Sequence, residues 1–195
     1  MERVLAVTLG YLLGSIPFAL LLTRSRGIDL REAGSRNVGA ANVLRTAGVV
    51  PAVAVMLLDA AKGAIAVLVA RFITDDLAIV TAAGLAAVVG HVYPIWLGFR
   101  GGKGVAAAAG VFAMLAPFPT AIAALVFVGT TFVTRFISAG SIAGALTLPV
   151  ATAMGSAPGP VVAGAVLAAI IVIHRHRDNV SRLIAGTERR IGLRL

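Results

Sequence analysis

A chain of 195 residues that is 59% hydrophobic and only 13% charged, with a mean hydropathy of +0.98, holds more apolar surface than one soluble core can bury, so lipid is its natural solvent. The net charge of +9 comes from 17 Lys+Arg against 8 Asp+Glu; the basic residues sit in short gaps between apolar runs, where the positive-inside rule puts them, and no nucleic-acid partner is expected. Cysteine is absent, which excludes disulfides, thiolate nucleophiles and Cys-ligated metals. The His, Asp and Glu residues show no HExxH or facial-triad spacing, so no metal is expected either. Gly is abundant at 22 residues, which suits close packing of membrane helices.

In chain order, the first apolar run is Val4–Thr23. It is longer than a signal-peptide core and has no A-x-A cleavage site, so it reads as a retained span. A polar stretch, Arg24–Arg45, follows. The second run, Thr46–Phe72, is interrupted by Asp59 and Lys62, and a short gap holds Thr74, Asp75 and Asp76. Leu77–Leu97 is the third run and Gly98–Gly104 a Gly-rich break. The next run, Val105–Thr134, would be about 45 Å long as one helix, against a hydrocarbon core of about 30 Å. Pro117 and Pro119 lie near its middle, and interior prolines break helices. Two helices, Val105–Ala116 and Pro117–Thr134, are therefore expected. Arg135, the run Ser138–Ser156, the turn Ala157–Pro160, the run Val161–Ile173 and a basic tail complete the chain.

This pattern predicts an all-α, polytopic integral membrane protein of about seven transmembrane helices, one domain over residues 1–195. Placing the N-terminus outside and the C-terminus in the cytoplasm puts Arg24, Arg26, Arg31, Arg36, Arg45, Arg100, Lys103, Arg135 and the basic tail on one side, fourteen of the seventeen Lys+Arg. Such asymmetry marks the cytoplasmic side. Six spans would send the tail outside.

Three polar segments then share the cytoplasmic face. The first runs from Gly34 to Arg45 and includes Ser35, Asn37, Gly39 and Asn42. Small residues let a backbone approach an anion, Ser and Asn add donors, and Arg45 can grip a phosphate in bidentate fashion. An ordinary cytoplasmic loop with positive-inside arginines fits the residue types equally well. The second runs from Gly90 to Gly104. Gly101-Gly102-Lys103-Gly104 looks like a phosphate cradle but lacks the spacing of a nucleoside-triphosphate loop. Tyr93 and Trp96 fit interface-belt aromatics, and His91 is either a packed histidine or a site residue. The third holds His176, Asn179, Arg182 and Glu188. On a helix the first three share one face, suited to proton transfer and anion stabilisation; a basic tail attracted to anionic lipid is the alternative. Asp59 and Lys62, three apart in an apolar run, are spaced to pair within one helix.

These segments, in this order, resemble the bacterial membrane acyl-phosphate:glycerol-3-phosphate acyltransferase family known as PlsY. The family pattern G-S-x-N-x-G-x-x-N-x-x-R, then G-H-x-x-P…F-x-G-G-K-G, then H-x-x-N-x-x-R-L-x-x-G-T-E is met by Gly34–Arg45, Gly90–Gly104 and His176–Glu188. Arg36 stands where Gly is common, and Ala41 where Thr is common. The resemblance implies transfer of a fatty acyl group from acyl phosphate to the 1-hydroxyl of glycerol 3-phosphate, giving lysophosphatidate and inorganic phosphate, without a cofactor. It implies catalytic roles for Ser35, Arg45, Lys103, His176 and Asn179. Phosphate binding would fall to Gly34, Asn37, Gly39, Asn42, Gly101, Gly102, Gly104 and Arg182, and structural roles to Asp59, Lys62 and Glu188. His176 would serve as base, or a substrate phosphate oxygen would take the proton; Glu188 would anchor the tail through an arginine. The implied partners are the two substrates, the bilayer and a peripheral enzyme that makes acyl phosphate. The implied location is the inner membrane, with the site facing the cytoplasm. The rival from another class is a transporter or channel for a phosphorylated solute, which would require polar groups along a path to both sides.

Overall fold

Prolines and glycines decide where the apolar runs of this chain break. The computed structural model describes residues 1–192, and among them every α-helical or 3₁₀ element is a helix or helical turn with no strand; the end of the basic tail, including Arg194, lies outside the described residues. Two compact units divide the chain, Met1–Leu115 and Ala116–Leu195.

The first unit contains α1 (Glu2–Gly14), α2 (Phe18–Arg24), α3 (Ala40–Ala47), α4 (Val49–Ile73), α5 (Leu77–Val92), a 3₁₀ turn (Ile95–Leu97) and α6 (Val105–Leu115). The expected first span is two helices, not one. Pro17 has no N–H to continue the ladder, and α1 ends at Gly14, with the Ser15 N–H donating to the Tyr11 carbonyl at 2.9 Å. Taken together, Glu2–Arg24 remains long and apolar enough to cross a membrane. The second run also starts later than expected. Thr46 belongs to α3, and Gly48 at φ +92° separates α3 from α4. The carboxylate of Asp76 starts α5 by accepting from the Ala78 and Ile79 N–H groups, satisfying donors that a helix start leaves open.

Glycine sets the helix contacts of this unit. On α1, Gly10 faces the Ala83 carbonyl of α5 and Gly14 faces that of Ala87, while Gly90 of α5 faces the Tyr11 carbonyl. A Cβ at any of these positions would overlap backbone. The same reciprocal arrangement joins α4 to α6: Gly63 lies on Ala107, and Gly110 on Ala60. Lipid supplies no hydrophobic drive between helices, so close backbone approach at small residues carries this packing. Beneath the loop between α2 and α3, Leu20, Leu30, Val38, Val43 and Val55 form a buried apolar cluster, so this loop has a core of its own.

The second unit contains α7 (Pro117–Thr134), α8 (Ile137–Met154), α9 (Gly159–Arg175) and α10 (Arg177–Ile184). The expected division of Val105–Thr134 is observed, with Pro117 opening α7, where its missing N–H costs nothing. On α7 only Pro119 and Ala123 are buried; Phe118, Leu125, Val128 and Phe132 are exposed, as lipid-facing residues are. The axis bends by 57° between α9 and α10.

Five stretches are long and apolar enough to cross a membrane, and a sixth if α9 and α10 count as one span. The protein is a multi-pass membrane protein. The shorter apolar helix α6 has 11 residues and reaches about 16 Å, half the hydrocarbon thickness.

Candidate functional site

Within the first unit, one buried amide shapes the polar loop before α3. The Asn42 side chain is 1% exposed. Its Oδ1 accepts the Ser35 N–H at 2.7 Å, and its Nδ2 donates to the Leu30 and Ala33 carbonyls at 3.2 and 3.0 Å. Gly34, at φ +60°, passes so close to Asn42 Oδ1 that a side chain there would collide. Arg36 also has φ of 60°. It occupies the left-handed conformation that glycine adopts freely. Ser35 and Arg45 are exposed, and Asn37 and Gly39 are half-buried. Arg31 lies outside this group: it holds the Asp29 carboxylate in a two-point pair at 2.7 and 3.1 Å. That guanidinium lowers the Asp29 pKa to about 2.

The Gly-rich segment folds back onto the end of α5. The N–H of Gly101 donates to the Val92 carbonyl at 3.0 Å and that of Gly102 to the His91 carbonyl at 3.1 Å, satisfying acceptors that a helix end leaves open. Gly101, Gly102 and Gly104 are buried and Lys103 is half-buried. Gly104, at φ +87°, turns the chain into α6. Trp96 donates from Nε1 to Ser15 Oγ at 2.8 Å, and Tyr11 donates to the Tyr93 carbonyl at 2.9 Å, so both aromatic positions brace α1.

Beneath this segment lies a buried ionic cluster. Asp59 and Lys62 are 2% and 3% exposed and pair at 2.8 Å. Lys62 also donates to the Ile16 carbonyl at 2.9 Å, an acceptor released by the break between α1 and α2. His91 Nδ1 stands 3.5 Å from Asp59 Oδ1. The cavity among these groups is about 10 Å³, the size one water needs.

In the second unit, the third segment converges on Glu188, which is 8% exposed. Its Oε1 accepts from Ser138 Oγ at 2.9 Å and from Asn179 Nδ2 at 2.7 Å, and its Oε2 accepts from Arg182 Nε at 2.7 Å. Burial pushes this carboxyl up, but the bonds from Asn179, Arg182 and Ser138 outweigh it and hold the pKa below the ordinary value. His176 sits at the bend between α9 and α10, buried, with Nδ1 2.7 Å from the Val172 carbonyl. A carbonyl only accepts, so Nδ1 carries the hydrogen and the neutral ring has its lone pair on Nε2.

The glycerol-3-phosphate acyltransferase family model matches residues 4–186. The chain belongs to this family. The match runs through both units, and the protein is a membrane acyltransferase of lipid biosynthesis. Among its relatives, the glycerol-3-phosphate acyltransferase of Mesorhizobium japonicum is 48% identical over 190 residues, covering 97% of this chain and 96% of the relative. That of Geobacter sulfurreducens is 44% identical over 190 residues, covering 97% and 98%. The crystal structure of PlsY, an integral membrane glycerol 3-phosphate acyltransferase, in its glycerol 3-phosphate form is similar with a TM-score of 0.94 and 38% identity, covering 98% of this chain and 96% of that one. The lysophosphatidic acid form of PlsY is similar with a TM-score of 0.92 and 37% identity.

The predicted residues of this acyltransferase fall into three local groups. Gly34, Ser35 and Asn42 are joined in the first loop. Gly101 and Gly102 rest on the His91 end of α5, above Asp59 and Lys62. Asn179 and Arg182 are joined by Glu188, one helical turn and two beyond His176. The Asp59–Lys62 pair read from spacing is present. Three further participants were not read from sequence: the Ile16 carbonyl, the contact of His91 with Asp59, and Ser138. Of these only His91 carried a signal, as a polar ring inside an apolar run.

Proposed function

We propose that the chain transfers a fatty acyl group from acyl phosphate to the 1-hydroxyl of glycerol 3-phosphate, giving lysophosphatidate and inorganic phosphate. The observation carrying this reading is the likeness, over 98% of the chain, to a PlsY structure in its glycerol 3-phosphate form, with the three polar segments intact. The lysophosphatidic acid form of the same neighbour supports the product.

The hydroxyl oxygen attacks the acyl carbonyl carbon, a new C–O bond forms, and the bond to phosphate breaks with its electron pair leaving on phosphate. Charge grows on the carbonyl and leaving-group oxygens, and fixed donors and cations stabilise it. Ser35, Arg45 and Lys103 hold phosphate, and Gly101, Gly102 and Gly104 let backbone approach it. Gly34, Asn37, Gly39 and Asn42 shape the first loop, Asn42 from within through its backbone bonds. Asn179, oriented by Glu188, donates to a reacting oxygen, and Arg182 adds positive charge. The hydroxyl proton goes to His176 Nε2 or to a phosphate oxygen. Retention of most kcat in His176→Gln selects the phosphate route.

The charge asymmetry supports seven spans, α6 the short one, with the N-terminus outside and the site facing the cytoplasm of the inner membrane. There a peripheral enzyme that joins acyl groups to phosphate supplies the donor. The test is purified protein with glycerol 3-phosphate and, separately, acyl phosphate, acyl-CoA and acyl carrier protein thioester. Lysophosphatidate is expected from acyl phosphate; its absence there refutes the reading.

A further inference from the structure

The Gly-rich loop has a floor, and that floor is one imidazole ring. Gly102 meets the Nε2, Cε1 and Cδ2 atoms of His91 so closely that a Cβ at Gly102 would overlap Nε2. The loop is pinned over this ring by the hydrogen bonds of Gly101 and Gly102 to the last turn of α5. The ring is itself held from behind. Asp59 Oδ1 stands 3.5 Å from Nδ1, Lys62 holds the same oxygen at 2.8 Å, and the Ile16 carbonyl holds Lys62 at 2.9 Å. The ring therefore turns its Nδ1 edge to the carboxylate and its Nε2 edge to Gly102. The cavity beside the ring is about 10 Å³, room for about one water, and the contact the cluster makes toward the phosphate cradle is the one with the loop.

We propose that His91, aligned by Asp59, is a positioning residue for the Gly101–Gly104 loop, and that the thickness of its ring sets where Lys103 meets the phosphate of glycerol 3-phosphate. This rests on the reading of the loop as the phosphate cradle. A ring wedged under a loop fixes height as well as orientation, so smaller and larger contacts both misplace the loop. A displacement of about 1 Å at a binding element is enough to cost a hundredfold.

The experiment is a double-mutant cycle in the purified full-length enzyme, measuring KM for glycerol 3-phosphate and kcat per folded molecule. Gly102→Ala, His91→Ala and the pair together are compared, with His91→Asn as a second small side chain should His91→Ala not fold. The expected result is that each single change raises KM by about tenfold or more with a smaller fall in kcat. The pair should recover to within about threefold of His91→Ala alone, because the new methyl occupies space the ring has left. Multiplied single effects in the pair, or a KM within twofold of wild type in both His91 variants, would overturn the proposal. Lys103→Ala separates the two readings. A raised KM there with unmoved His91 variants leaves the cradle standing and removes the positioning role; an unmoved KM in both Lys103→Ala and Gly102→Ala removes the cradle and this inference with it.

Discussion

Replacing Glu188 tests whether its carboxylate holds the third segment together. Three donors converge on it: Ser138 and Asn179 on one oxygen and Arg182 on the other. A buried hydrogen bond to a charged group contributes about 1.5–3 kcal/mol. The Arg182 side chain is 42% exposed, so water and salt reduce its share to about 1 kcal/mol or less. Removing the carboxylate also relieves its own desolvation cost. Glu188→Ala should therefore cost about 2–4 kcal/mol. Glu188→Gln keeps one oxygen for Ser138 and Asn179 but turns an amide donor toward the Arg182 N–H, so it should cost about 1–2 kcal/mol. The assay is unfolding in detergent followed by circular dichroism, with kcat measured on the folded fraction. Asn179 loses a fixed partner in the Ala variant, so kcat should fall further there than in Gln. Wild-type stability in Glu188→Ala, or a Gln variant worse than Ala, would refute the reasoning.

The pH dependence of the same group has a definite sign. The folded pKa of Glu188 lies below its ordinary value of 4.5, so its contribution is complete above pH 4.5 and is lost as pH falls through the folded value; the stability gap between wild type and Glu188→Gln should close over that range in acid titrations. Either Asp59→Asn or Lys62→Met leaves the other member of a buried pair uncompensated and should cost about 3–5 kcal/mol, whereas the double variant should be milder than either; equal losses in all three, read by thermal unfolding, would count against a paired charge. Gly14→Val drives a side chain into Ala87 backbone and should destabilise by about 3 kcal/mol or more, measured as folded yield and midpoint. Arg36→Gly relieves a left-handed residue but loosens the unfolded chain, so it should stabilise by at most about 1 kcal/mol; a clear loss of stability would show that the arginine side chain holds the loop.

Much of this architecture is legible in the sequence because the bilayer supplies a ruler. The division at Pro117 follows from a run too long for one crossing, and the Asp59–Lys62 pair from spacing on one helix. The break at Ser15–Pro17 falls inside an unbroken apolar run, so length and polarity read as one span and only Pro17 marks it. Asn42 reads as a phosphate donor because its type and neighbours suit one, while its bonding to loop backbone is visible only in three dimensions. Ser138 and Glu188 are fifty residues apart, and nothing local marks either as the other's partner. His91 meets Asp59 across two helices, a distance that spacing along the chain does not encode.

The near-absence of buried side chains on α7, beside glycines that cannot accept a methyl on α1, bears on how this sequence can drift. In a soluble protein the outside tolerates change and the inside resists it. Here both are restricted, by different rules. Phe118, Leu125, Val128 and Phe132 can exchange with almost any apolar residue, since lipid fits every shape and rejects only polarity. Gly10, Gly14 and Gly90 can exchange with almost nothing, since their neighbours are backbone atoms that have nowhere to go. Random substitution along this chain should therefore leave an alphabet filtered by polarity at one set of positions and by size at the other.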